Sequence, residues 1–137
     1  MNKKLELKIV KSFPELYRGY YENPAYSCLA FGFECEDGWF KLIYNTSKKI
    51  NKFIKSKKWN EYERPEILQI KEKFGSLRIY MNNYDETIEK IIEEAEKLSS
   101  KICERCGSTK NVSSTKGYWI KFLCDKCKLS NEVWNEK

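Results

Sequence analysis

The spacing of apolar and polar positions divides the chain into segments of different period. Residues 1–25 mix apolar and charged side chains around Leu5, Leu7, Ile9 and Val10. Aromatics then follow at Phe13, Tyr17, Tyr20 and Tyr21 among the turn-formers Pro14, Gly19 and Pro24. This predicts a short helix or strand followed by irregular structure. From Ser27 to Glu36, Leu29, Phe31, Phe33 and Cys35 alternate with Cys28, Ala30, Gly32 and Glu34, the period-two pattern of a half-buried strand that Asp37-Gly38 ends. Over residues 39–58 the period changes. Trp39, Ile43, Ile50 and Ile54 recur at helical spacing, and Lys41, Lys48, Lys52 and Lys55 fall on the opposite face, which predicts an amphipathic helix. Asn45-Thr46-Ser47 is its weak point, because these side chains compete for backbone hydrogen bonds.

Residues 66–82 read as a β-hairpin, with Leu68, Ile70 and Phe74 on one face of its first strand and Leu77, Ile79 and Met81 on one face of its second; Gly75-Ser76 supplies the turn. Asp85 suits a helix N-cap, Glu86 and Glu89 its positive end, and Lys97 and Lys101 its negative end. Ile88, Ile91, Ile92, Ala95 and Leu98 form that helix's buried stripe. The order strand, helix, hairpin, helix, cysteine module predicts an α+β fold: a domain over residues 1–100, the cysteine module over 101–130 and a tail over 131–137.

The cysteines carry the strongest chemical signal. Cys103-Glu-Arg-Cys106 and Cys124-Asp-Lys-Cys127 are separated by 17 residues. Two Cys-x-x-Cys pairs so spaced are the ligand pattern of a structural zinc site, in which each pair forms a tight knuckle aiming two sulfurs at one Zn²⁺ ion. Gly107 permits the turn closing the first knuckle, and residues 118–123 read as a strand delivering the second. Two redox-active pairs and an iron–sulfur cluster are the alternatives. The redox reading is weakened because neither pair sits in a βαβ setting. A saturated tetrathiolate site leaves no open position for catalysis. Cys28 and Cys35, whose gap does not suit a further metal pair, read as buried thiols in a strand.

Composition narrows the chemistry further. With 137 residues, 41% hydrophobic and 15% aromatic, the chain has enough apolar material for a modest core. It has no histidine, which excludes imidazole bases and histidine metal ligands. No window approaches a membrane-spanning run, and the first residues lack a signal-peptide stretch, so the expected location is the cytosol.

Four segments, Gly32-Phe-Glu-Cys-Glu-Asp-Gly-Trp-Phe40, Lys71-Glu-Lys-Phe-Gly-Ser-Leu-Arg-Ile-Tyr80, Ser100-Lys-Ile-Cys-Glu-Arg-Cys-Gly107 and Leu123-Cys-Asp-Lys-Cys127, together resemble a family of small, largely uncharacterised zinc-ribbon proteins of bacteriophages, prophages and bacteria. The resemblance spans about residues 30–127. In that family's pattern the hairpin turn is often Gly-Gly, whereas here it is Gly75-Ser76. The resemblance implies a mobile-element context, in which small proteins bind nucleic acid or inhibit a host defence complex such as a CRISPR effector.

The formal charge of +6, from 26 basic and 20 acidic residues, is unevenly spread. Residues 1–65 carry 13 − 8 = +5, residues 66–100 carry 5 − 8 = −3, and residues 101–137 carry 8 − 4 = +4. Four thiolates and one Zn²⁺ would add −4 + 2 = −2, leaving about +4 for the chain and about +2 for the ribbon segment. Residues 41–58 hold seven lysines and no carboxylate, a ridge suited to phosphates, with Trp59 and Tyr62 nearby for stacking. The ribbon adds Lys121 beside Tyr118 and Trp119, which a strand would point to opposite faces. These features favour a non-enzymatic zinc protein that engages nucleic acid or a nucleoprotein complex through Lys41, Lys48, Lys52, Lys55, Trp59, Tyr118, Trp119 and Lys121. The alternative is an inhibitor of a host defence protein whose acidic row of Glu86, Glu89, Glu93, Glu94 and Glu96 imitates phosphates. A Mg²⁺-dependent nuclease using Asp37, Glu72 and Lys73 ranks third.

Overall fold

The computed structural model describes residues 1–135 of the chain. Four helices and two small antiparallel hairpins confirm the α+β class. Helix α1 (Lys3–Ser12) is capped by the Asn2 side chain, which accepts from the Lys4 amide, and buries Glu6, Ile9 and Val10. The Glu6 carboxylate is satisfied inside the fold: it accepts the Tyr20 hydroxyl and the Phe33 amide, both at 2.8 Å.

The strand expected over residues 27–36 does not form. Cys28–Phe31 is instead a 3-10 turn that ends at Gly32 with φ 85°. A Cβ on Gly32 would lie 2.7 Å from Glu6 Oε1, so the backbone turns sharply over the carboxylate where only glycine fits. Leu29, Phe33 and Cys35 are buried, but Phe31 is turned out to solvent and Cys28 is exposed. The Cys28–Phe31 turn packs against β1, and among the described residues of this stretch Glu34 alone forms a backbone bridge to the sheet, a parallel one to Lys71 in which its amide donates to Ile70 O and its carbonyl accepts from Glu72. The expected alternation is therefore kept at Leu29, Phe33 and Cys35 and lost at Phe31, because the positive-φ glycine interrupts the extended chain.

Helix α2 (Phe40–Lys55) buries Leu42, Ile43, Ile50 and Ile54 on one side. It runs unbroken through the polar triplet: the Thr46 and Ser47 hydroxyls donate back to the Leu42 and Ile43 carbonyls at 2.7 Å. Ser47 also pairs with the buried Tyr17 hydroxyl at 2.6 Å.

Strands β1 (Glu66–Lys73) and β2 (Ser76–Asn82) pair antiparallel with a bulge between Ile67 and Gln69. The bulge absorbs Leu68, so Ile67 and Ile70 both point inward while Leu68 is partly exposed. This corrects the expected face of Leu68, Ile70 and Phe74, of which only Ile70 is buried. The turn also lies one residue earlier than expected. Lys73 pairs with Ser76, and Phe74-Gly75 form the loop with φ 53° and 85°, the double positive-φ requirement of a type I′ turn. Leu77, Ile79 and Met81 face the core as predicted.

Asp85 caps helix α3 (Glu86–Ser99) by accepting from the Ile88 amide, and Ile88, Ile92 and Ala95 are buried. Ile91 is half-buried and Leu98 partly exposed. Helix α3 lies against both α2 and β2, and one apolar core joins α1, α2, the hairpin and α3. Strands β3 (Val112–Ser114) and β4 (Phe122–Cys124) form the second hairpin, followed by α4 (Asp125–Asn135). Of the stretch set apart as a tail, residues 131–135 continue α4 and residues 136–137 lie outside the described residues. Among the described residues no helix is long and apolar enough to cross a membrane.

The bulged register predicts unequal costs at adjacent positions. Ile67→Ala should destabilise the protein by about 2–5 kcal/mol and Leu68→Ala by under about 1 kcal/mol in urea denaturation. Equal costs would contradict the bulge.

Candidate metal centre

The first knuckle is closed by its own backbone. The Gly107 amide donates to Cys103 O at 2.9 Å, the Cys103 amide to Ser108 O at 2.8 Å, and the Glu104 amide to Phe122 O at 3.1 Å, which ties the knuckle to β4. Gly107 takes φ 84°, as its place after the knuckle requires. The second knuckle is a strand-to-helix junction: Cys124 ends β4 and Cys127 lies in the first turn of α4. The strand expected over residues 118–123 is thus confined to its end, and residues 116–120 form a loop. Tyr118 and Trp119 do not divide between two faces; both are exposed.

The four Sγ atoms lie within 4.8 Å of one another, and Cys106 Sγ and Cys124 Sγ are 3.7 Å apart. Four thiolates about 2.3 Å from a tetrahedral Zn²⁺ would be separated by about 3.8 Å, so the donor set and its spacing fit such an ion. Among the described residues this quartet forms the one group of three or more Cys, Asp or Glu side chains close enough to surround a metal. Burial works against ionisation of Cys103, but the backbone amides of Cys106, Cys124 and Arg105 outweigh it and bring the thiol down to about 7. Burial and the neighbouring sulfurs push Cys127 up. Cys103 is thus prepared for deprotonation, whereas Cys127 would give up its proton in exchange for a metal. Cys35, outside the quartet, is a core thiol pushed up to about 12 by burial.

A charged clasp joins this centre to the rest of the fold. The Glu104 side chain is 1% exposed; its Oε2 accepts the Glu36 amide at 3.0 Å and its Oε1 lies 3.3 Å from Lys121 Nζ. Lys121 Nζ also meets Glu36 Oε2 at 3.0 Å, and Arg105 Nε meets Glu36 Oε1 at 3.0 Å. Burial raises the Glu36 carboxyl, but Arg105 and Lys121 outweigh it and hold it below the usual carboxylate range. At Glu104 burial prevails over Lys121 and the carboxyl is raised. Burial opposes the charge of Lys121, yet Glu104 and Glu36 keep it firmly protonated. Backbone contacts accompany the charges: Gly38 N donates to Glu104 O at 2.7 Å and Trp39 Nε1 to Ile102 O at 3.2 Å. Nothing in the local spacing of Glu36, Gly38 or Glu104 marks any of them as a site residue. Glu36 and Glu104 stand 68 residues apart, and a pairing over that distance leaves no trace in local spacing.

The structure distributes the predicted binding residues over several environments. Lys41, Lys48, Lys52 and Lys55 are exposed on α2, and no ion pair involving them is found among the described residues. Trp59 is half-buried and donates its indole N–H to Ile54 O at 2.8 Å, closing the end of α2. Lys121 is occupied by the clasp. Asp37 accepts the Asn2 amide and Glu72 the Gly75 amide, so each of these carboxylates serves nearby backbone. No protein-family model, curated protein or solved structure matches the chain.

Among the described residues, removing the lysine would leave the buried Glu104 carboxylate with the Glu36 amide as its remaining partner. Lys121→Ala should therefore destabilise the protein by about 3 kcal/mol in urea denaturation, the low end for a broken buried pair. A variant as stable as the parent would contradict the clasp.

Proposed function

We propose that the protein is a non-enzymatic zinc-binding protein that engages nucleic acid or a nucleoprotein complex, with the four cysteines holding a structural Zn²⁺ ion. The observation carrying this reading is the lysine face of α2: an unbroken helix of 16 residues presents Lys41, Lys48, Lys52 and Lys55 to solvent on one stripe. Spacings of seven, four and three residues keep these ammonium groups in line along the helix. Such a row attracts a phosphate backbone through charge and carries little base specificity. The metal has a supporting role, since a saturated tetrathiolate site organises the ribbon without offering a reactive position.

A second reading rests on α3, where Glu86, Glu89, Glu93 and Glu94 are exposed. In a mobile-element inhibitor, as the resemblance to phage zinc-ribbon proteins suggests, this row would occupy a basic channel of a host defence protein.

Native mass spectrometry should find one Zn²⁺ per chain. Oligonucleotide affinity should fall steeply as salt rises, and reversing the charges of Lys48, Lys52 and Lys55 should weaken it by on the order of tenfold or more. Salt-insensitive binding or none would overturn the nucleic-acid reading, and a stable complex with a host protein in its place would favour the second.

A further inference from the structure

The turn of the first hairpin and the loop of the ribbon meet. A Cβ on Gly75 would lie 3.0 Å from Ile120 Cγ2 and 3.1 Å from Phe122 Cδ2, so Phe74 and Trp119 are each one residue from this contact. Both rings are nevertheless left outside, Phe74 at 74% exposure and Trp119 at 75%, with Tyr118 fully exposed beside them. No ring–ring contact of these three is found among the described residues; Phe74 has only the Lys73 ammonium, 5.8 Å from its ring centroid.

Two features indicate that these rings are presented rather than merely left over. Phe74 occupies the left-handed region at φ 53° in a turn where asparagine is the favoured residue. A bulky exposed ring there costs backbone strain that no packing offsets. The ribbon loop is also pinned from within: Thr115 Oγ1 donates to Trp119 O at 3.1 Å and accepts the Lys121 amide at 2.9 Å, and the Thr115 amide donates to Lys121 O at 2.7 Å. The backbone is thereby held while the Tyr118 and Trp119 side chains project.

The surrounding charge identifies the partner. Residues 107–123 contain Lys110, Lys116 and Lys121 and no carboxylate. Lys121 is retained by the clasp, whereas Lys116 is exposed in the loop and Lys73 is exposed beside the turn. Exposed rings flanked by lysines suit a chain that offers both flat bases and phosphates.

We propose that the Phe74-Gly75 turn and the 116–120 loop form a stacking platform for unpaired bases of single-stranded nucleic acid, with Phe74, Tyr118 and Trp119 as its rings and Lys73 and Lys116 as its phosphate contacts. The proposal rests on the nucleic-acid reading above and specifies the form of nucleic acid bound.

The test uses the metal-loaded full chain and fluorescence anisotropy with labelled oligothymidylate and with a duplex of equal length. The single strand should bind more tightly than the duplex. Phe74→Asn and Trp119→Ala should each weaken single-strand binding by on the order of tenfold, leaving the salt dependence unchanged. Phe74→Asn should at the same time be at least as thermally stable as the parent, because Asn-Gly suits the turn; lost binding in a protein of undiminished stability separates contact from folding. Equal affinity for duplex and single strand, or unchanged affinity in both variants while the lysine reversals on α2 still weaken binding, would overturn the platform and leave the basic-helix reading standing. Absence of salt-dependent binding to either oligonucleotide would overturn both.

Discussion

Backbone lies directly on backbone where the loop before α2 passes the first cysteine knuckle, and the arrangement of the molecule depends on that contact. A Cβ on Gly38 would fall 2.1 Å from Cys103 O and 2.4 Å from Glu104 O, distances no side chain tolerates. The absence of a side chain lets the Gly38 amide donate to Glu104 O at 2.7 Å. One residue later, Trp39 is fully buried in the main core and its indole N–H donates to Ile102 O. The knuckle therefore supplies part of the seat on which the N-terminal end of α2 rests.

The ribbon gains from the same contact. Among the described residues its own buried cluster is Cys103, Leu123 and Cys124, little apolar surface for a segment of this size. The Gly38 contact and the clasp of Glu36, Glu104, Lys121 and Arg105 offset this, and a metal ion held by the cysteine quartet would add to them. The clasp also changes how the charge is understood. Two of the ribbon's basic residues neutralise carboxylates at the junction, so the ribbon's formal positive charge overstates the cations it presents to solvent.

Local signals made much of this legible in the sequence. The period of Trp39, Ile43, Ile50 and Ile54, the Asp85 cap and the cysteine spacing each encode structure within a few residues, and α2, α3 and the quartet follow them. The segment over 27–36 shows where such reading stops. Its period-two pattern correctly marks Leu29, Phe33 and Cys35 as buried, but Gly32 turning over the Glu6 carboxylate prevents a strand, and that contact is tertiary. Leu68 likewise fits an alternating pattern until the bulge displaces it. Lys121 reads as one more ribbon cation because its partners, Glu36 and Glu104, are distant in sequence.

Coupling between metal centre and core is tested most directly by hydrogen exchange at the Gly38 amide and the Trp39 indole N–H, compared before and after the metal is chelated. The account predicts that both lose protection together with the ribbon amides of Cys103, Glu104 and Gly107, while α3 retains more of its own. Ribbon amides that open while Gly38 and Trp39 keep their full protection would contradict it.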